Sequence, residues 1–460
     1  MKTNYISSAV SALIFMLSVL TSCEQRLEVN DPIDQISSEQ IFESINTADA
    51  ALSHLYTEIQ AYSLFSGGSS GAGVLLGTYT DDLINNDAFN QNASADLFNN
   101  VQGNSNTSIK NVWTNSYKEI YIANAILEGI EKSTAIAEPD KKRIKGEALF
   151  IRTLIFFYLR QLFGDIPYPT TTNYTINKSL PKTPESEALS LIRKDLEESV
   201  NLLNDQYRNA ERIYPNKKTA QLFLATVLMT QNQWFDAEIL LREVVQNNLY
   251  IWENDPVRTF KKTGKHILWQ LKPLQNNYAT SEALLYYFSS GVPNTYTVAN
   301  SLANSFDAAD LRRQHWITTV TVNQTAYYRV DKYKNITNNT DEYSIVFRLE
   351  EAYLLLAEAL ARQNKGPAAI PYLNKVKQKA GIALTPESTP NEQLLTEILK
   401  ENQKEFFAER GIRFVTLKRA DRLNELVVSK PNWKEYHRYW PIPISELLLN
   451  PNLNPQNNGY

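Results

Sequence analysis

One cysteine, Cys23, is all that the 460 residues contain. That scarcity excludes an intrachain disulfide and any multi-thiolate metal centre. Histidine is nearly as sparse. His54, His266, His315 and His437 lie far apart, with no H-x-x-x-H pair to hold zinc. No basic stripe with interleaved aromatics runs through the chain, and the net charge is −4, so nucleic acid is not an expected partner. No G-K-[ST] follows the glycines that could open a phosphate loop, and no Asp-x-Asp-x-Asp-Gly calcium loop occurs. No cofactor is expected. After the first 22 residues no apolar run approaches the about 20 residues that span a bilayer.

What is present begins at the N-terminus. Lys2 precedes an apolar run from Ala9 to Leu20, broken only by Ser11 and Ser18. The run is too short to span a membrane and fits the h-region of a secretory signal. Leu20-Thr21-Ser22-Cys23 then resembles the bacterial lipobox: a branched apolar residue, two small residues and the cysteine whose sulfur carries lipid. The expected organisation is a lipoprotein signal over residues 1–22, a lipid-anchored tether over 23–40, and one domain over 41–460. Acylation at Cys23 would anchor the chain to a membrane without spanning it.

The body reads as mainly α-helical. Ile41, Ile45, Ala48, Leu52, Leu55 and Ile59 keep helical spacing. Residues 66–107, dense in Gly, Ser, Asn and Asp, read as a long surface loop region. Helices resume at Ser108. The segment from Leu149 to Leu159 is apolar nearly all round, as in a central buried helix, and Gly164, Pro167 and Pro169 end it. Ala220, Leu224 and Leu228 on one segment face Ala237, Leu241 and Val244 on the next, and "RLEEAYLLLAEALARQ" followed by "AAIPYLNKVKQKAGI" repeats the arrangement. Small residues where paired helices cross predict a tetratricopeptide-like repeat, mainly within 108–250 and 345–420. Residues 252–346 are irregular, with "HILWQL", "TTVTVN" and "YYRVDKY" as short extended segments.

Catalytic signals are weak. Gly67-Gly68-Ser69-Ser70-Gly71 is a literal G-x-S-x-G, but glycines flank the serine where a nucleophile elbow needs a strand before and a helix after. The Asp81-Asp82 doublet has no partner carboxylate at a known distance, as glycoside hydrolysis would require. The chain is not expected to be an enzyme.

Five segments, in order, carry a family resemblance: the lipobox at Cys23; "GEALFIRTLIFFYLRQLFGDIPY", closing in Phe163-Gly164-Asp165-Ile166-Pro167; "DKYKNITNNTDEYSIVFRLEEAYLLLAEAL"; "KENQKEFFAERGIRFVTLKRA"; and "YWPIPISELLLNPNLNPQNNGY". Together they resemble the SusD/RagB group of outer-membrane nutrient-binding lipoproteins of Bacteroidota. Thr416 departs from the pattern, standing where the family commonly has Asp. The resemblance implies a bilobed α-rich fold on four tetratricopeptide-like helix pairs, with the loop-rich regions 66–107 and 252–346 forming the ligand face. It also implies a location at the outer membrane, facing the exterior. The implied partner is a SusC-like TonB-dependent barrel transporter, and the implied ligand is a glycan or, in some members, a peptide.

Sugars present hydroxyls to Asp, Asn and Arg side chains and apolar C–H faces to aromatic rings. Two regions offer that mixture. One holds Asp81, Asp82, Asn85 and Asn86, with Tyr79 and Phe89 alongside. The other holds Tyr296, Trp316, Tyr327 and Tyr328, with Arg312 and Arg313 nearby. Trp113 and Trp234 sit on helix faces and are expected to be core.

Overall fold

Ser44 opens the first long helix because its hydroxyl accepts the otherwise unpaired backbone N–H of Thr47 at 3.2 Å. This helix, α1 (Ile45–Tyr62), buries Ala48, Leu52, Leu55 and Ile59, the positions of the 3.6-residue pattern. The computed structural model describes residues 40–87 and 92–460. Cys23 and nearly all of the expected signal and tether lie outside the described residues. The compact body runs from Phe42 to Tyr460.

Residues 66–107 are not the surface loop that their composition suggests. They fold into α2 (Ala72–Tyr79), β1 (Leu83–Asn85) and α3 (Ala93–Asn99), and α2 is buried throughout except at Gly73. The glycines mark close packing. A Cβ on Gly73 would meet the Ala408 carbonyl oxygen at 2.4 Å, and one on Gly77 would meet Leu83 at 2.9 Å. Ser69 sits in the turn between α1 and α2 with no strand before it, so the G-x-S-x-G lacks the elbow geometry.

Two 26-residue helices follow, α4 (Thr107–Lys132) and α5 (Glu138–Phe163). Every residue of α5 from Gly146 to Phe163 is buried, as expected of a helix with no polar face. Gly164 ends it at φ +73°, a conformation that glycine adopts without a Cβ penalty. Next come α6 (Glu185–Leu202), α7 (Lys217–Thr230) and α8 (Trp234–Val245), then after the irregular region α9 (Leu349–Arg362), α10 (Gly366–Ala380), α11 (Asn391–Phe406) and α12 (Ile412–Arg419). From α4 to α10 each helix packs on the next in chain order, and α1 packs on α4. Such nearest-neighbour stacking is compatible with the expected helical repeat.

The irregular region supplies strands at the three expected extended segments, β2 (Ile267–Leu271), β4 (Ile317–Val322) and β5 (Thr325–Val330), and two that were not expected, β3 (Tyr296–Val298) and β6 (Ser344–Arg348). They pair antiparallel as β1–β3, β2–β6 and β4–β5. The β2–β6 pair is wholly buried.

Two of the motif segments, those around Arg348 and Glu405, converge on one buried ionic network. Arg348, 1% exposed, pairs with Glu405 and Glu409. Lys332 pairs with the same Glu409, and Arg312 pairs with Asp310, Glu401 and Glu405. Burial alone would push the Glu405 carboxyl up, but Arg348, Lys379 and Arg312 hold it well below the usual carboxylate range. Thr416, the departure from the family pattern, donates to Asn402 at 3.3 Å, and Arg419 one turn later takes Glu358 at 2.6 Å. The C-terminal segment returns to the end of α5. The Asn457 amide donates to the carbonyls of Phe163 and Trp440, and Gln456 makes two hydrogen bonds with Ile442.

Candidate functional site

The pairing of β1 with β3 brings Asn85 opposite Tyr296, 211 positions later in the chain. β3 packs in turn on β5, which carries Tyr327 and Tyr328. Chain segments from both candidate regions therefore share one surface, but their side chains divide into two groups.

The first group is tied into the fold, with Asp82 and Asn85 buried and Asp81 and Asn86 half-buried. Asp81 receives Arg413 through two parallel hydrogen bonds of 2.8 and 2.9 Å. Asp82 is 2% exposed and accepts from Gln403 at 2.9 Å. Burial, followed by the charge of Asp81, pushes the Asp82 carboxyl up to about 7. Asn85 donates to Ser94 and accepts from the Asp87 backbone. Asn86 donates to the Thr295 carbonyl and the Thr297 hydroxyl. Asp81 and Asp82 thus brace the turn after α2 against α11 and α12, while Asn85 and Asn86 tie β1 to α3 and β3, so that these four polar groups are engaged within the fold. Asp and Asn close to a turn read alike whether they meet solvent, ligand or a remote arginine. Tyr79 is fully buried, and Phe89 lies outside the described residues.

Trp316 requires correction. It is 1% exposed, its indole N–H donates to the Pro256 carbonyl at 2.9 Å, and its ring meets Phe260 at 5.3 Å. The Lys332 ammonium lies 5.1 Å from its centroid. A ring enclosed in this way cannot offer a face to a ligand. Arg312 lies in the ionic network. Trp113 is buried as expected, whereas Trp234 is half-buried.

The second group faces outward. Tyr296, Tyr327 and Tyr328 are half-buried. Alternation along β5 sends Tyr327 and Tyr328 to opposite faces of the hairpin. Tyr328 lies under the Arg313 guanidinium at 5.2 Å and donates to Asn304 at 3.3 Å. Arg329, which shares the Tyr327 side by the same alternation, sits 5.0 Å from the ring of Tyr287. Arg329 is fixed by hydrogen bonds to the Phe288 carbonyl at 2.7 Å and to Asp331 at 3.0 Å. Tyr287 is 42% exposed. Burial pushes the Tyr296 phenol up, with Ser94 beside it. Sequence reasoning missed Tyr287 and Arg329. The period-2 spacing of Tyr327 and Arg329 was available to place the arginine, whereas nothing local in "LLYYFSS" marks which tyrosine is exposed.

The arrangement offers rings, guanidinium donors and amides, all pre-positioned. Among the described residues no group of three or more His, Cys, Asp or Glu could hold a metal.

Comparison with known proteins agrees with the fold. A family model described as the SusD family matches residues 171–460. The chain belongs to the SusD family. A second SusD-like model, described as starch-binding and associating with the outer membrane, matches residues 27–229. A SusD-like protein of Formosa agariphila is 24% identical over 97% of this chain and 98% of its own length. Among solved SusD-like structures, a SusD superfamily protein from Bacteroides vulgatus superposes with a TM-score of 0.77 at 19% identity, covering 91% of this chain and 100% of that one. Surface glycan-binding protein A from Bacteroides thetaiotaomicron, solved with laminarihexaose, superposes with a TM-score of 0.76 at 16% identity, covering 90% and 99%. The chain is thus SusD-like over nearly its whole length, and no described helix is long and apolar enough to cross a membrane.

Proposed function

We propose that this SusD-family chain is a non-catalytic nutrient-binding lipoprotein, anchored through Cys23 to the outer membrane and facing the cell exterior. It captures oligosaccharide or polysaccharide and delivers it to a SusC-like TonB-dependent transporter. The observation that carries the binding step is the tyrosine surface around β3 and β5. There, Tyr287 is held by Arg329 at 5.0 Å on the Tyr327 face of the hairpin, and Tyr296 lies on the adjoining strand. Rings fixed by packing and cation–π contact lose little freedom when a sugar stacks on them. Similarity to a protein solved with laminarihexaose supports a glycan as the ligand class.

The test is calorimetric titration of the protein starting at Glu24, with hexasaccharides of several linkages and with short peptides, checking each ligand for cleavage afterwards. One glycan class is expected to bind and remain intact. Tyr296→Ala with Tyr327→Ala is expected to weaken it about tenfold or more, on the order of 1.4 kcal/mol, with the variant still folded at the titration temperature. Binding of peptides alone would move the ligand class to peptide, and turnover of any ligand would end the non-catalytic reading.

A further inference from the structure

A second concave site lies away from the tyrosine surface, where the C-terminal segment folds back on the end of α5. The cleft has a volume of about 660 Å³, within the about 300–1,000 Å³ typical of small-molecule sites. Its lining includes Asp165, Glu185, Tyr436, Arg438, Tyr439 and Asn458, none of which belongs to the tyrosine surface.

The walls are rigid. Tyr439 donates its hydroxyl to Glu185 at 2.8 Å, and the half-buried Lys418 lies 4.0 Å from the centroid of its ring. Gly164, at φ +73°, leaves no room for a Cβ, which would sit 3.0 Å from that ring. Tyr436 packs edge-on against Tyr460 at 5.2 Å. Asp165 holds the first turn of α6 by accepting the Glu185 backbone N–H at 2.8 Å. The Nε–H of Arg438 is buried with no hydrogen-bond partner. A buried donor left unsatisfied is costly, so a small movement of the guanidinium that lets it meet a ligand oxygen is favoured.

We propose that this cleft is a second saccharide-binding site, taking neutral hexose units of the same glycan that the tyrosine surface holds. The proposal rests on the glycan-binding reading. Carboxylates of Asp165 and Glu185 accept hydroxyl protons, the arginine donates to hydroxyl oxygens, and two phenol rings supply apolar wall. The carboxylates of Asp165, Glu185 and Glu435 outnumber the one guanidinium and disfavour a polyanion. A neutral sugar, whose free hydroxyls each donate and accept, pairs with both the carboxylates and the guanidinium. Two separated sites on one chain would hold a long glycan at two points, so that release from one does not lose the polymer.

Calorimetry with laminarihexaose, maltohexaose and cellohexaose tests this on the protein starting at Glu24. For whichever hexasaccharide binds, two ligands per chain are expected. Arg438→Glu, and separately Asn458→Trp to fill the cleft from an exposed position, should each reduce this to one. Tyr296→Ala with Tyr327→Ala should leave the cleft ligand in place. Should Arg438→Glu fail to fold by circular dichroism, Asn458→Trp decides. A wild-type stoichiometry of one that neither cleft variant alters overturns the second site and leaves the tyrosine surface standing. No binding of any of the three sugars by the wild type overturns both.

Discussion

Asp82 shows how far burial can move a single residue from the role that its type suggests. Its carboxyl rises from 3.8 to about 7, first through burial and then through Asp81, with Arg413 and Gln403 opposing. The folded protein keeps this proton over a range in which the unfolded chain has lost it. The stability it contributes is therefore complete below about pH 4 and is lost as the pH rises to about 7. Asp82→Asn cannot ionise, and its amide oxygen can still accept from Gln403. The unfolding free energy of the wild type minus that of the variant should fall by up to a few kcal/mol between pH 4 and 7, since one pKa unit corresponds to about 1.4 kcal/mol. Urea denaturation at several pH values measures this, and a flat difference would contradict the assignment. Lys332, lowered by burial to about 8, changes charge only at higher pH, outside that window.

At the scale of elements, α2 is where expectation and structure part most clearly. Gly73 would be replaced favourably by Ala in an open helix, by about 1 kcal/mol. Here its missing Cβ leaves room for the Ala408 carbonyl, 2.4 Å from where that carbon would stand, and backbone cannot yield as a flexible side chain can. Gly73→Ala should therefore destabilise the protein by about 1–3 kcal/mol, the usual cost of overpacking. Gly103→Ala, with nothing within 4 Å of the new carbon, should lack this penalty in the same urea series. The helices of the stack were readable from sequence because each declares its own buried face. α5 needed no neighbour to identify it, and Ala220, Leu224 and Leu228 are all buried as their spacing predicts. The glycines and asparagines of 66–107 carry the same composition whether they form a loop or allow two backbones to approach. That ambiguity is resolved by the partner, here the 406–411 turn, which lies more than 300 residues away in the chain.

For the whole molecule, the buried charges are what tie distant segments together. Arg348 at the entrance to α9, Lys332 after β5, and Glu405 and Glu409 around the end of α11 meet in one interior network. Replacing a complete ion-pair set by apolar groups can be neutral, but removing one partner strands the others without water. Arg348→Met should cost about 3–5 kcal/mol by leaving Glu405 and Glu409 with fewer cations. The loss should appear as one cooperative shift in the denaturation midpoint, together with loss of ligand binding at temperatures where the variant unfolds. An unchanged midpoint would mean that the network contributes no net stability.

The sequence by itself determined the helical framework, the extended segments of the irregular region and the family, because periodicity, helix termini and ordered motifs are local properties. Tertiary structure decided which polar and aromatic residues are available to a ligand. Asp81, Asp82, Asn85, Asn86 and Trp316 have the composition of a sugar site, yet Arg413, Gln403, Ser94, Thr295 and Pro256 occupy their polar groups within the fold. Tyr287 and Arg329 gained their place by the reverse route. A side chain's hydrogen-bonding capacity is finite, and only the packed chain shows where it has already been used.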